Sequence, residues 1–195
     1  MPRFHSKTHP IGRNLPLALL AAGLVGALLL ATPPVASQTT VPTTAATSAA
    51  SSKRAQNSML SDLAEGNRAE VQAGQLALEK SKNPDIQKFA QMMIDDHGKA
   101  LSEVETLAQR KGVKLPDGIG ATHKAKELAL KALSGKVFDS QYIKRAGVGD
   151  HESTVKLLKK IQAEGQDPDF KALADKMLPT VQHHLEVAKQ LAAAK

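Results

Sequence analysis

The sequence contains no cysteine and no tryptophan, and only 3% of its residues are aromatic. Without cysteine there is no disulfide, no thiolate metal site, no thiol nucleophile and no lipid-bearing cysteine anchor. Covalent haem attachment through Cys-x-x-Cys-His is excluded on the same ground. Scarce aromatics against abundant Ala, Leu and Lys favour helices over strands. Long apolar runs are equally scarce. One extends over about 17 residues, from Leu15 to Ala31, at the lower limit for a membrane span. No second run follows that would make the rest of the chain an integral membrane domain. A basic run is missing too. The formal net charge of +7 over 195 residues invites a nucleic-acid partner, but Arg3, Lys7, Arg13, Lys53 and Arg54 all precede the first acidic residue. Beyond them the balance is only about +2, with signs mixed, which argues against nucleic acid.

What is present divides the chain into three. A basic stretch, Met1 to Asn14, leads into the apolar run, and the small residues of Val35-Ala36-Ser37 suit a signal peptidase. Residues 1–37 therefore read as a signal peptide, the alternative being an uncleaved anchor, and the protein is expected in the periplasm or outside the cell. Residues 38–57, rich in Thr, Ala and Ser, have too little apolar surface to offset their ordering entropy and read as a disordered linker. Residues 58–195 form the domain.

Within that domain apolar residues recur at three and four throughout, the signature of amphipathic helices. A helix over about 58–82 carries Leu60, Leu63, Ala64, Val71 and Leu78. Asn83-Pro84-Asp85 opens a second helix, ending near Gly112, with Ile86, Phe89, Met93, Leu101, Val104 and Leu107 on one side. A connection containing a short helix near 123–133 leads to a third long helix, 137–164, with Phe138, Tyr142, Val148, Val155, Leu158 and Ile161. Asp167-Pro168-Asp169 opens the fourth, in which Pro179 is expected to produce a kink. The two Pro junctions match, and so do the helices they open. The expected fold is all-α: a ferritin-like four-helix bundle of two antiparallel hairpins, with a short extra helix in their connection.

Three histidines occupy core positions. His97 lies four residues from both Met93 and Leu101; His151 falls between Val148 and Val155, and His184 between Val181 and Ala188. Glu70 sits at the inner edge of the first helix's stripe. Counted from the turns at about 1.5 Å per residue, Glu70 and His97 are level in one hairpin and His151 and His184 in the other. One Glu and three His then converge in mid-bundle. Imidazole nitrogen and carboxylate oxygen suit zinc, copper, iron or manganese, so Glu70, His97, His151 and His184 are the expected ligands of one transition-metal ion. Affinity for that ion is expected to fall through the ordinary imidazole range near ~6.5. The alternative is a structural network in which imidazoles donate to the carboxylate and hold the helices in register.

A di-iron centre is not expected. Such sites use Glu-x-x-His on two helices, and here the residues three before His97, His151 and His184 are Ile94, Val148 and Val181. Asp96, Asp150 and His183 neighbour the core histidines and so turn about 100° from them, toward solvent or an adjoining helix. His123 reads as a surface residue, Asp139 as a helix-dipole or loop-pinning carboxylate, and Met92, Met93 and Met177 as core filling.

Several motifs in order resemble a family of exported bacterial proteins, domain of unknown function DUF4142. They are Ala69-Glu70-Val71, Phe89-Ala90-Gln91-Met92-Met93 through Asp96-His97, Gly135 with Phe138-Asp139 and Tyr142, Asp150-His151-Glu152, and Leu178-Pro179-Thr180 through His184-Leu185. The resemblance spans about residues 59–191. It implies a ferritin-like fold and export, and it supplies no established activity. Its common outer-membrane label finds no counterpart in alternating strands here. The expected function is an exported binding module with a mononuclear metal site. The alternative is a structural or stress-related envelope interaction protein with a polar core. No separate nucleophile or substrate pocket points to an enzyme.

Overall fold

The computed structural model describes residues 44–194. The expected signal peptide lies outside the described residues. The described chain is all-helical, with elements α1 (Thr44–Lys80), α2 (Pro84–Lys111), α3 (Gly120–Lys131), α4 (Gly135–Tyr142), α5 (His151–Glu164) and α6 (Pro168–Ala193). A π-helical segment, Ile143–Asp150, joins α4 to α5.

The starts and stops follow from local chemistry. Asn83 and Asp167 are matching N-caps, each accepting a hydrogen bond at 2.9 Å from the backbone N–H two residues on, with Pro at the first helical position after each. Gly112 ends α2 in the left-handed conformation (φ 66°) that costs glycine no Cβ clash. Helix α6 runs through Pro179 from Pro168 to Ala193.

Helix α1 begins at Thr44, inside the stretch expected to be linker. Ala45, Ala46, Ala49, Ala50 and Ala55 are strong helix formers, and extending a packed helix backwards avoids the cost of a new nucleus. The first buried residue on it, among those whose side chains are described, is nevertheless Leu60.

Helices α1 and α2 pack along one another, as do α5 and α6, and α2 meets α6 across the bundle. Two apolar clusters fill the interior. One gathers Leu60, Leu63, Val104, Leu107, Leu158, Ile161 and Phe170, and the other Phe89, Met93, Leu130, Phe138, Tyr142 and Ile143. The buried polar residues Asn67, Glu70, His97, His151 and His184 belong to neither. The connection around α3 is pinned to α1, where Lys80 Nζ donates to the carbonyls of Lys131 (2.6 Å) and Leu133 (3.0 Å), and Arg68 pairs with Glu105 at 2.8 Å and donates to Pro116 O. A β-carbon at Gly147, in the π-helical segment, would lie 2.9 Å from Cβ of Ala188. Glycine there lets this segment approach α6 closely, one turn from His184.

Candidate metal centre

Each of the three core histidines is fixed by the helix that carries it. His97 projects from the apolar face of α2 beside Met93, and His184 from that of α6 between Val181 and Ala188. His151 is the first residue after the π-helical segment, in which wider turns redirect side chains and carbonyls. They are 5%, 1% and 0% exposed for His97, His151 and His184.

The rings meet edge-on and tilted, with centroids 5.3 Å (His97–His151), 5.2 Å (His97–His184) and 5.4 Å (His151–His184) apart. His151 Nε2 stands 3.3 Å from His97 Nε2 and 3.4 Å from His184 Nδ1. One ligand atom from each histidine lies within 4.8 Å of the others. A metal held by imidazoles at roughly 2.0–2.1 Å would separate its nitrogens by about 3.3–3.6 Å in tetrahedral or trigonal geometry. The separations of 3.3 Å and 3.4 Å match that spacing.

The outward nitrogens settle where the protons are. His97 Nδ1 is 2.9 Å from Asn67 Oδ1, and the Asn67 amide nitrogen is committed to Leu63 O at 2.7 Å. His151 Nδ1 is 2.9 Å from the carbonyl oxygen of Ala146. His184 Nε2 is 3.2 Å from Asp96 Oδ2. All three partners are acceptors, so each outward nitrogen donates. A neutral imidazole has one N–H; the three inward nitrogens are therefore bare lone pairs. A hydrogen bond between these rings would require an imidazolium.

Burial opposes that. Desolvation pushes the pKa of His97 well below its ordinary 6.5, assisted by His151 and His184. Desolvation likewise lowers His151 to about 4, even though the Ala146 carbonyl favours its charged form. His184 is lowered by desolvation, partly countered by Asp96. Asp96 itself is pushed up by burial, but hydrogen bonds from His184 and Lys99 more than offset this and keep it an ionised carboxylate. The site is three neutral imidazoles with one negative charge outside them. Burial thus holds the three rings neutral below the ordinary imidazole range.

Glu70 is not among the converging ligand atoms. The residue of α1 that reaches the cluster is Asn67, one turn earlier. Counting turns placed Glu70 at about the right height, but it lies to one side, beside a small cavity bounded by Ile119, Leu130, Ala146 and Asp150. It is 6% exposed and its Oε2 has no hydrogen-bond partner. Burial first, then the charge of Asp150, raise its pKa well above the ordinary value, with Lys126 acting in the opposite sense.

Asn67 and Asp96 are the residues that sequence reasoning missed as partners of the site. Asn67 had a signal: it falls four residues after Leu63 on the buried stripe, where an amide is expensive unless it is bonded. Asp96 turns to a neighbouring helix, one of the two directions its position allowed. The Ala146 carbonyl had no signal, because a π-helical segment is not legible from periodicity. His183 is exposed, Met93 and Met177 are buried in the apolar clusters, and Asp139 Oδ1 is buried without a partner.

The fold and this site define a class: an all-helical bundle with a buried cluster of three histidines. The chain belongs to the family described as domain of unknown function DUF4142, which matches residues 40–191. No curated protein matches it significantly. Among solved structures it is similar to a DUF305 fragment from Deinococcus radiodurans (TM-score 0.64, 14% identity, covering 72% of this chain and 96% of that one). It is also similar to CopM in its Cu(II)-bound form (0.60, 19%, 71% and 95%) and in its Cu(I)-bound form (0.58, 18%, 69% and 93%). At these identities the likeness is one of fold. No helix among the described residues is long and apolar enough to cross a membrane.

Proposed function

We propose that this is an exported metal-binding protein whose ferritin-like bundle holds one soft metal ion on His97, His151 and His184. The observation that carries the reading is the set of outward hydrogen bonds from these rings. By fixing all three tautomers they leave three lone pairs facing one another with no proton between them, an arrangement that repels itself until a cation enters. Such outer partners also orient ligating histidines and strengthen their donor nitrogens. The competing structural network has imidazoles donating to a carboxylate, as His184 does to Asp96; it accounts for the outward bonds but not for three proton-free nitrogens facing one another.

Charge narrows the ion. Three neutral nitrogens and one outer carboxylate balance a single positive charge in a buried site, and imidazole suits copper. Cu(I), or its analogue Ag(I), fits best. The copper- and silver-bound forms of CopM, whose bundle is similar, support the choice. In this reading Glu70 is not a ligand. When bound, the ion would be stored or carried.

The test is anaerobic titration with Cu(I) against a competing chelator, alongside Ag(I) and Zn(II). One equivalent of Cu(I) or Ag(I) should bind and raise the melting temperature of the protein, since the ion binds only the folded state. Absence of a thermal shift with all three ions, and no metal retained after dialysis, would sink the proposal in favour of a polar-cored interaction bundle.

A further inference from the structure

Two clefts reach the histidine cluster, and they differ in charge. One, of about 280 Å³, opens between α1, α3 and α5; it is bordered by Asp62, Glu70, Asp150 and Lys126 and reaches Asn67 and His97 at its base. The other, of about 190 Å³, opens between α2 and α6 and is bordered by Asp96, Glu103, Lys99 and Lys176. Three carboxyl groups line the first against one lysine, which is paired with Asp150, leaving Asp62 and Glu70 without a basic partner in the cleft. In the second, two carboxylates are matched by two lysines and paired with them, Asp96 with Lys99 and Glu103 with Lys176. A cleft lined by one sign of charge concentrates counter-ions and speeds their entry.

The first cleft also contains an unfilled acceptor. Glu70 Oε2 is buried without a partner, and Glu70 borders both the cleft and the cavity of about 20 Å³ behind it. Asp150 borders both as well, and the side chain of Lys126, paired with Asp150, is 37% exposed. Lys126 and Arg145 also line the cavity, but neither is bonded to Glu70 Oε2, and a carboxyl group left unpaired beside a second one is costly unless a proton or a cation is held between them.

We propose that this acidic cleft is the route by which the metal cation reaches the three histidines, and that Glu70 and Asp150 form a transit site for it. The proposal rests on the three-histidine reading. A hydrated cation entering the cleft displaces the Lys126 ammonium from Asp150 and the proton from Glu70, which passes to solvent, and exchanges water for carboxylate oxygen. It then passes His97, the most exposed of the three imidazoles, into the cluster. The transit site governs how fast the ion arrives; the histidines govern how tightly it stays.

The experiment follows Ag(I) transfer from a weak chromophoric chelator to the full chain, by stopped flow, together with equilibrium affinity. Glu70→Gln keeps the side-chain shape but cannot exchange a proton for the cation, and it should slow loading about ten-fold, with affinity within about two-fold of wild type. Asp150→Asn should slow it as well. Glu103→Gln, in the other cleft, should load at the wild-type rate. Equal loading rates for Glu70→Gln and wild type would overturn the transit site. Affinity falling in step with rate would overturn it too, by making Glu70 a ligand. If wild type binds no Ag(I) at equilibrium, it is the three-histidine reading that has failed, and the transit site fails with it.

Discussion

Two polar layers are buried in this bundle, and Asn67 and Glu70, one turn apart on α1, mark them. At the level of Asn67 every outward imidazole nitrogen has an acceptor, and only the inward lone pairs are unsatisfied. At the level of Glu70 the reverse holds: Glu70 Oε2 and the hydroxyl of Tyr142 are both buried without partners. Desolvation and the neighbouring Glu70 push the Tyr142 pKa well above its ordinary value. The first layer is organised around a point in space, with its supporting bonds on the periphery. The second has no such periphery. Burial alone is therefore a poor guide to a site; the direction in which satisfied and unsatisfied groups face is a better one.

The comparison breaks hardest at His151. Replacing it with Ala removes the nitrogen nearest to both others and should lower Ag(I) or Cu(I) affinity by at least about 100-fold, more than loss of an outer partner costs. Competition titration would show this, and the melting temperature of the mutant should no longer respond to metal. Asn67→Leu keeps all three ligands but frees the His97 tautomer, so affinity should fall by roughly 10–100-fold with stoichiometry unchanged.

The layers should also titrate in opposite senses. The histidines are held neutral below their ordinary 6.5, with His151 at about 4. Between these limits the unfolded chain binds more protons than the folded one, so their contribution to stability is present above pH 6.5 and is lost as pH falls toward 4. Glu70 is held protonated above its ordinary 4.5. There the folded chain binds the extra proton, so Glu70 lowers stability as pH rises through and beyond 4.5. Glu70→Gln removes that penalty. In thermal melts of metal-free protein it should be more stable than wild type at pH 8, with the difference vanishing toward pH 4.5. A constant difference at all pH values would mean that Glu70 is ionised in the fold. The smallest effect is expected outside both layers. Breaking the exposed Glu152–Lys189 pair (3.2 Å) should change stability by about 0.5 kcal/mol or less and leave metal affinity alone, although Glu152 is adjacent to His151 in sequence.

Much of this architecture is legible in the sequence because it depends on periodicity. The apolar stripes gave the helices, and the Pro junctions gave two of their starts to the residue. The same stripes singled out His97, His151 and His184, which the structure brings together. What periodicity reads poorly is rotation about a helix axis near the edge of a stripe. Asn67 and Glu70 differ by about 300° on an ideal helix, or 60° the short way round, and that is enough to exchange a partner of the cluster for a neighbour of it. The π-helical segment before His151 was invisible for a related reason: its wider turns change the phase without changing which residues are apolar. The helical start at Thr44 was missed because composition alone does not show that a packed helix lies just downstream.

The central claim concerns protons, and imidazole nitrogens report theirs directly. In long-range nitrogen–proton spectra of the ¹⁵N-histidine protein at pH 7, His97 and His151 should appear protonated on Nδ1 and bare on Nε2, and His184 protonated on Nε2 and bare on Nδ1. One equivalent of Ag(I) should then shift those three bare nitrogens and no others. Detection of an N–H on any inward-facing nitrogen in the metal-free protein, or an Ag(I)-induced shift at His123 or His183 in their place, would contradict the account.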